Sequence, residues 1–546
     1  MRRLVRFSVV SLAVAVGATA LAVPNAPAAL LIPEPMVAWS EPVPGAAFFE
    51  SSPALVDLDG DGVLDVLAGS RDGKVYGFNG RTGDAVAGWP QATSHAIDSS
   101  PAVADVDGDG RTDVFVGSGS FAARGGALYS FTRDGNVRFR RQLGDVQFGD
   151  PAVFSTPALG DLDGNGSLDV ATASLSVQSA WQVNAAGQPL PGFPFHWDDT
   201  IFSSPALADV NNDGVLDMVI GGDSTAAGQV DHKGGMVRAI AYGGRSLWQF
   251  NTNDIVRSSP SIGDIDGDGR LEVVFGGGQY YGGTDSVAVF ALDAATGRMK
   301  WRRATNGATL ASPALADVNG DGRLDVVIAT IASKYGMGNG GSLYVLNGTD
   351  GSDLAPFPVS AGPDPRAGVV TADANRDGAQ DVFVAAGDKT RIISGRTGEV
   401  LRTLSTYGSQ SSGAIADIDG NGRLDVIAAF GRPDSRVQAT VKRWELDGTA
   451  VLGSLGWPEF RKDGRRTGSW ADTSLPARPI APALMAAALK SSRAQAAAAK
   501  AKAAAKANAA TFSKQYEVQC KTPAAKKAKP CTALAARLTA ARKAAR

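Results

Sequence analysis

The side chains with chemistry to offer are acidic, and they come in a fixed order. Asp57-Leu-Asp59-Gly-Asp61-Gly-Val-Leu-Asp65 places oxygen-bearing side chains at positions 1, 3, 5 and 9, with glycine at position 6. Hard cations such as Ca²⁺ take about six to eight oxygen ligands, and a short loop of alternating carboxylates with a glycine turn supplies them. The pattern occurs eight times. Positions 1, 3, 5 and 9 are Asp57, Asp59, Asp61 and Asp65; Asp105, Asp107, Asp109 and Asp113; Asp161, Asp163, Asn165 and Asp169; and Asp209, Asn211, Asp213 and Asp217. They continue as Asp264, Asp266, Asp268 and Glu272; Asp317, Asn319, Asp321 and Asp325; Asp373, Asn375, Asp377 and Asp381; and Asp417, Asp419, Asn421 and Asp425. An ordinary β-turn also favours Asp, Asn and Gly, but it does not demand a carboxylate at position 9. The expected cofactor is calcium, up to eight ions. Its role is structural, because a loop that fills its own coordination shell leaves little room for substrate.

The elements that must carry these loops follow from what flanks them. Successive copies start 44 to 56 residues apart, a spacing that belongs to propeller blades or solenoid units. Before each loop runs a short segment of small residues, usually marked by proline, such as Ser51-Ser-Pro-Ala-Leu-Val and Ser203-Ser-Pro-Ala-Leu-Ala. Small side chains suit inner strands crowded round an axis. After each loop comes an apolar, β-branched run such as Asp113-Val-Phe-Val-Gly or Asp325-Val-Val-Ile-Ala, too short and too Gly-flanked for a helix. A third strand ends in turn residues, as at Asn79-Gly and Asn347-Gly, and a fourth often carries an aromatic, as at Trp89, Phe139, Trp248 and Trp301. Four strands per unit make a propeller blade. The predicted fold is all-β, a β-propeller of eight four-stranded blades, with seven as the alternative.

The acidic loop followed by an apolar strand ending in Gly or Ala resembles the FG-GAP (VCBS-type) repeat family, whose best-known members form the calcium-binding propeller of integrin α-subunits. The resemblance covers residues 37–470, although the family's phenylalanine-glycine signature is degenerate here, Val114-Phe-Val-Gly and Val273-Val-Phe-Gly-Gly being the nearest forms. It implies an interaction or adhesion module for a cell-surface protein or carbohydrate. Two segments are candidates for closing the ring. Val37-Ala-Trp39-Ser precedes the first inner strand as a fourth strand would and can complete the last blade, removing exposed sheet edges. Trp457-Pro-Glu-Phe and the residues to Gly468 look like a closing segment of bacterial family members.

The two ends differ from this body. Arg2, Arg3 and Arg6, an apolar run from Phe7 to Ala22 and Ala26-Pro-Ala28 read as a signal peptide over 1–28, and the expected location is extracellular, with retention at the cell envelope as an option. No later stretch has the length of a transmembrane segment. Residues 471–482 hold Pro476, Pro479 and Pro482 and read as a linker; 483–546 are an Ala/Lys-rich tail, helical or disordered, without a large apolar face. Residues 478–546 hold fifteen Lys/Arg against Glu517 alone. Setting this tail and the three signal arginines aside leaves 35 basic and 54 acidic residues, a body of net charge −19, and 27 of those acids lie in the eight loops. Calcium should therefore stabilise the native state by binding it preferentially. The tail suits acidic envelope polymers, with no specific nucleic-acid recognition. Cys520 and Cys531, the only cysteines, are expected to form a disulfide.

Catalytic chemistry has little to stand on. The histidines are His95, His196 and His232, nothing resembles a nucleophile elbow, and no acidic pair is conspicuously left over for glycosidase work. Four longer inter-strand loops, 119–126, 223–235, 277–283 and 334–341, are rich in Gly, Tyr or charge and suit adaptable recognition. The alternative is a polysaccharide-active enzyme, since some lyases are similar calcium-bearing eight-bladed propellers. That reading requires a basic and aromatic cluster, for which Arg124, His232, Lys233, Tyr280, Tyr281, Lys334 and Tyr335 are the candidates.

Overall fold

A computed structural model describes residues 32–471 except 120–124, 145–151, 225–233, 332–339, 433–436 and 447–454, together with 508, 511–513, 520 and 529–545. The expected signal segment and most of the expected linker and tail lie outside the described residues. Eight antiparallel sheets, spanning 54–92, 102–141, 158–196, 206–252, 261–304, 314–362, 370–405 and 414–445, follow one another as blades 1 to 8. The last of them takes its outer strand from the chain start, where Met36–Pro42 pairs antiparallel with Thr440–Glu445. The eight-bladed expectation and this closure both hold.

Position in the blade explains composition. Each inner strand is three residues long, as in Ala54–Val56 and Ala206–Ala208, where small side chains let eight strands meet around one axis. Each second strand is buried along its whole length, as in Asp65–Gly69 and Asp381–Ala386, because a neighbouring blade packs on either face. That is why these strands read as unbroken apolar runs rather than alternating ones. Outer strands face solvent, and in Met299–Ala304 only Trp301 is buried.

Outer-strand tryptophans latch three of the blades to the next. Trp39 donates its indole N–H to the Gly80 carbonyl at 2.8 Å, Trp248 to that of Ala294 and Trp301 to that of Gly348, both at 2.7 Å. Under the last two rings lie Gly297 and Gly351, at φ +67° and +71°, where an added Cβ would stand 2.6 Å from the indole. Trp89 makes a similar bond to Arg133 O at 2.9 Å, but it precedes a two-residue outer strand, Gln91–Ala92, and is not in it as expected.

A belt of hydroxyls encircles the axis. The second residue of each Ser-Ser-Pro-type segment accepts a backbone N–H from the preceding blade: Ser52→Ser100, Ser100→Thr156, Thr156→Ser204, Ser204→Ser259 and Ser259→Ser312, then across the closure Ser412→Ser52, all at 2.9–3.1 Å. Blade 7 has Gly368 here, and Ser412 Oγ donates to its carbonyl instead.

Residues 455–470 fill the channel and touch every blade. Leu455–Trp457 joins the inner edge of blade 7, and Pro458 O accepts from Ile415 N in blade 8. The carbonyls of Gly464, Arg465, Thr467 and Gly468 accept from Val103, Leu159, Leu207 and Ile262 in blades 2 to 5, and Trp470 donates to Leu315 O in blade 6. Arg466, fully buried, donates Nε to Pro101 O and Nη2 to Pro53 O at 2.9 and 2.7 Å, so one guanidinium staples blades 1 and 2. Arg461 staples blades 4 and 5 in the same way through Pro205 O and Pro260 O. Burial pushes the Arg461 guanidinium down to about 9. A buried charge is tolerable only with such hydrogen-bond partners. The closing role expected of this segment is that of an axial plug. In the tail, Lys529–Ala545 is a helix and Cys520 is bonded to Cys531.

Candidate metal centres and the opposite face

Strand order places the eight acidic loops, which join inner to second strands, on one face of the disc. All eight loops fold by the same two bonds. The position-1 carboxylate accepts the N–H of the position-6 glycine, as from Gly62 to Asp57 and from Gly422 to Asp417. The position-9 carboxylate accepts the N–H of position 2, as from Leu162 to Asp169 at 3.0 Å. Position 6 needs glycine because its backbone is left-handed, with φ between +80° and +89° at Gly62, Gly110 and Gly166.

The second bond carries each position-9 acid inside. Asp65, Asp113, Asp169, Asp217, Glu272, Asp325, Asp381 and Asp425 are all at most 4 % exposed. Desolvation, with neighbouring carboxylates adding to it, pushes Asp169 and Asp381 up to about 8 and Asp325 to about 7. Asp65 and Asp425 rise to about 6 and Asp217 rises well above the carboxylate range, desolvation again the main cause.

In five loops three carboxylates each bring an oxygen within 4.8 Å of the others: Asp57, Asp59 and Asp61; Asp105, Asp107 and Asp113; Asp161, Asp163 and Asp169; Asp264, Asp266 and Glu272; and Asp417, Asp419 and Asp425. The other three loops have asparagine at position 3. There Asn211 donates its amide to Asp217, Asn319 to Asp321 and Asn375 to Asp377, at 3.0–3.1 Å. Turning the amide over would offer its oxygen instead. The donor set is oxygen throughout, and Asp169 Oδ1 is buried with no hydrogen-bond partner. An all-oxygen donor set fits a hard divalent cation, calcium included, which would supply positive charge where no basic side chain does; in blades 2, 5 and 8, Arg138, Lys300 and Arg443 already stand against the cluster.

The opposite face carries the loop 277–283 and the open mouth of the channel; 120–124, 225–233 and 332–339 of the other longer loops lie outside the described residues. One residue from each blade rims it: Glu50, Asp98, Phe154, Phe202, Arg257, Leu310, Arg366 and Gln410, over a cavity of about 90 Å³ with Phe460 of the plug among its walls. Arg257 crosses to Glu50 at 3.3 Å, and Arg71 holds Asp98 through two bonds. Burial pushes both carboxyls up. The loop 277–283 is clamped from below. Buried Asp254 accepts the N–H groups of Tyr280, Tyr281 and Gly283 at 2.8–3.0 Å, and the Tyr281 hydroxyl bonds Asp223. Tyr280 then stands 74 % exposed, edge-on to Tyr281 with ring centroids 4.8 Å apart.

Of the basic and aromatic cluster required by the lyase reading, Tyr280 and Tyr281 are placed as above. Arg124, His232, Lys233, Lys334 and Tyr335 lie outside the described residues. His95 bonds Ser94, and His196 is exposed on a two-residue outer strand. The sequence reading missed the channel-facing arginines, the hydroxyl belt and Asp254. The belt had a signal in the recurrence of Ser or Thr directly before proline.

The FG-GAP-like repeat family model matches residues 57–116, 264–328 and 317–384. No curated protein matches the sequence. Among solved structures, the Vibrio cholerae biofilm matrix protein Bap1 aligns at TM-score 0.58 and 14 % identity over 79 % of this chain and 94 % of its own. The quinohemoprotein alcohol dehydrogenase ADHIIG of Pseudomonas putida HK5 aligns at 0.52 and 14 % over 76 % of this chain and 77 % of its own. At these identities the likeness is one of fold.

Proposed function

The chain is an FG-GAP-repeat β-propeller protein, and from that premise we propose that it acts as a secreted, calcium-stabilised interaction module for a cell-surface protein or carbohydrate. The observation that carries this is the division of labour between its faces. Carboxylate clusters occupy one face, while the other presents Tyr280 on a loop held rigid by Asp254. A rigid aromatic on a pre-ordered loop supplies contact area without an ordering cost on binding. The disulfide Cys520–Cys531 suits an oxidising compartment, and no helix among the described residues is long and apolar enough to cross a membrane. Bap1, a biofilm matrix protein, sets a precedent for such a role on this fold. The basic tail adds a salt-sensitive attraction to acidic envelope polymers.

The test is co-sedimentation of the mature protein with isolated cell envelopes and acidic polysaccharides, in calcium or chelator and at low or high salt. Binding lost to chelator and to Tyr280→Ala but resistant to salt supports recognition by the propeller. Binding lost to salt alone places it on the tail and removes the adhesion reading of the propeller.

A further inference from the structure

Three of the eight acidic loops already hold a cation of the chain's own. In blade 2, Arg138 of the outer strand Val137–Arg141 bonds Asp113 and reaches Asp107 at 2.9 Å. In blade 5, Lys300 sets its ammonium against Asp266, 2.9 Å from Glu272 and 3.7 Å from Asp268. In blade 8 the buried Arg443 lies 2.6 Å from Asp419 and 2.9 Å from Asp425. Each bridges positions 3 and 9, the carboxylates that converge with position 1 in these loops.

The other five loops differ. Among the described residues, no lysine or arginine makes an ion pair with position 1, 3 or 9 in blades 1, 3, 4, 6 or 7. Arg245 and Arg396 stop at position 5 of blades 4 and 7, 3.9 Å from Asp213 and 3.7 Å from Asp377. In blade 3 the 1 %-exposed Asp169 keeps its Oδ1 without a hydrogen-bond partner, and it belongs to the cluster with Asp161 and Asp163.

We propose that the loops are of two kinds: those of blades 2, 5 and 8 are closed by Arg138, Lys300 and Arg443 and take no divalent cation, whereas those of the other five blades take one each. A divalent ion needs the same carboxylates at about 2.3–2.6 Å, in the place the basic groups fill. Ejecting the buried Arg443 guanidinium would strip it of both carboxylates and leave it only the Gly80 carbonyl, which is costly. Arg138 and Lys300, less buried, hold their loops by pairing the carboxylates of positions 3 and 9. This inference rests on the calcium reading and refines its count from eight ions to five.

Chelated full-length mature protein is dialysed against calcium at physiological salt, and bound calcium is counted by emission spectroscopy. Eight loops less the three with built-in cations gives an expected five per chain. A count of zero sinks the calcium reading itself. A count of eight leaves that reading standing and overturns the two kinds. Lys300→Met is expected to raise the count to six and R138M/K300M to seven, while Arg245→Met, whose side chain stops short of positions 1, 3 and 9, stays at five. Variants R138M/K300M that remain at five overturn the assignment to these side chains.

Discussion

Arg466 shows what a single side chain can be asked to do in a ring. Its fork reaches the carbonyls of Pro53 and Pro101 and, through Nη1, that of Phe460, with Glu459 3.3 Å away. Lysine keeps the charge but cannot span two blades. Arg466→Lys is expected to cost about 3 kcal/mol, read as a lower urea midpoint, because a buried charge loses its partners; Arg465→Lys next to it should stay within about 0.5 kcal/mol. The position-9 acids make a pH prediction for the chelated protein. Asp169 and Asp381, raised from 3.8 to about 8, hold protons in the folded state that the unfolded chain has already released. The native state binds more protons, so stability is highest below pH 4 for these groups and falls as pH rises toward about 8. Thermal midpoints in chelator should drop from pH 5 to pH 8, and calcium should remove the slope; a midpoint that rises with pH in chelator contradicts the burial argument. These acids were legible in the sequence because their spacing is local. Arg138 and Lys300 were not singled out, although each stands one residue before an outer-strand aromatic, Phe139 or Trp301, where blades 8 and 4 have Ala38 and Leu247.

Strands were legible where one environment repeats along the whole element. The buried second strands announce themselves as apolar runs, and the inner ones as small residues. Outer strands follow alternating exposure and vary in length from two residues in Gln91–Ala92 to eight in Arg245–Thr252, so the sequence places them less sharply. The indole latch belongs to this scale. Trp301→Phe keeps the ring on Gly351 but removes the bond to Gly348 O, and should cost about 1 kcal/mol by calorimetry. On the opposite face, Asp254→Ala would release three backbone N–H groups of the loop 277–283 at once, besides that of Ile255. The expected result is loss of envelope binding equal to that of Tyr280→Ala, accompanied by faster proteolysis of 277–283, a change that Tyr280→Ala does not produce.

At the scale of the whole molecule, the blade number followed from counting loops, and the closure from finding an orphan fourth strand at the chain start. The plug was legible only as a closing segment. Its bonds run to carbonyls as far as 413 residues away, and no local pattern encodes a partner at that distance. Five ions would leave the −19 body at about −9, still opposite in sign to the tail. The plug also sets an order of events. A ribosome delivers blade 1 long before residues 455–470, so every blade must wait, unstapled, for a segment made after all eight. Only a chain translated through Trp470 can tie all eight blades to the plug. Products that stop between Glu445 and Leu455 can pair the closing strand but leave the channel unplugged, a difference open to proteases. Synthesis of the plug is thus recorded in the filled channel itself.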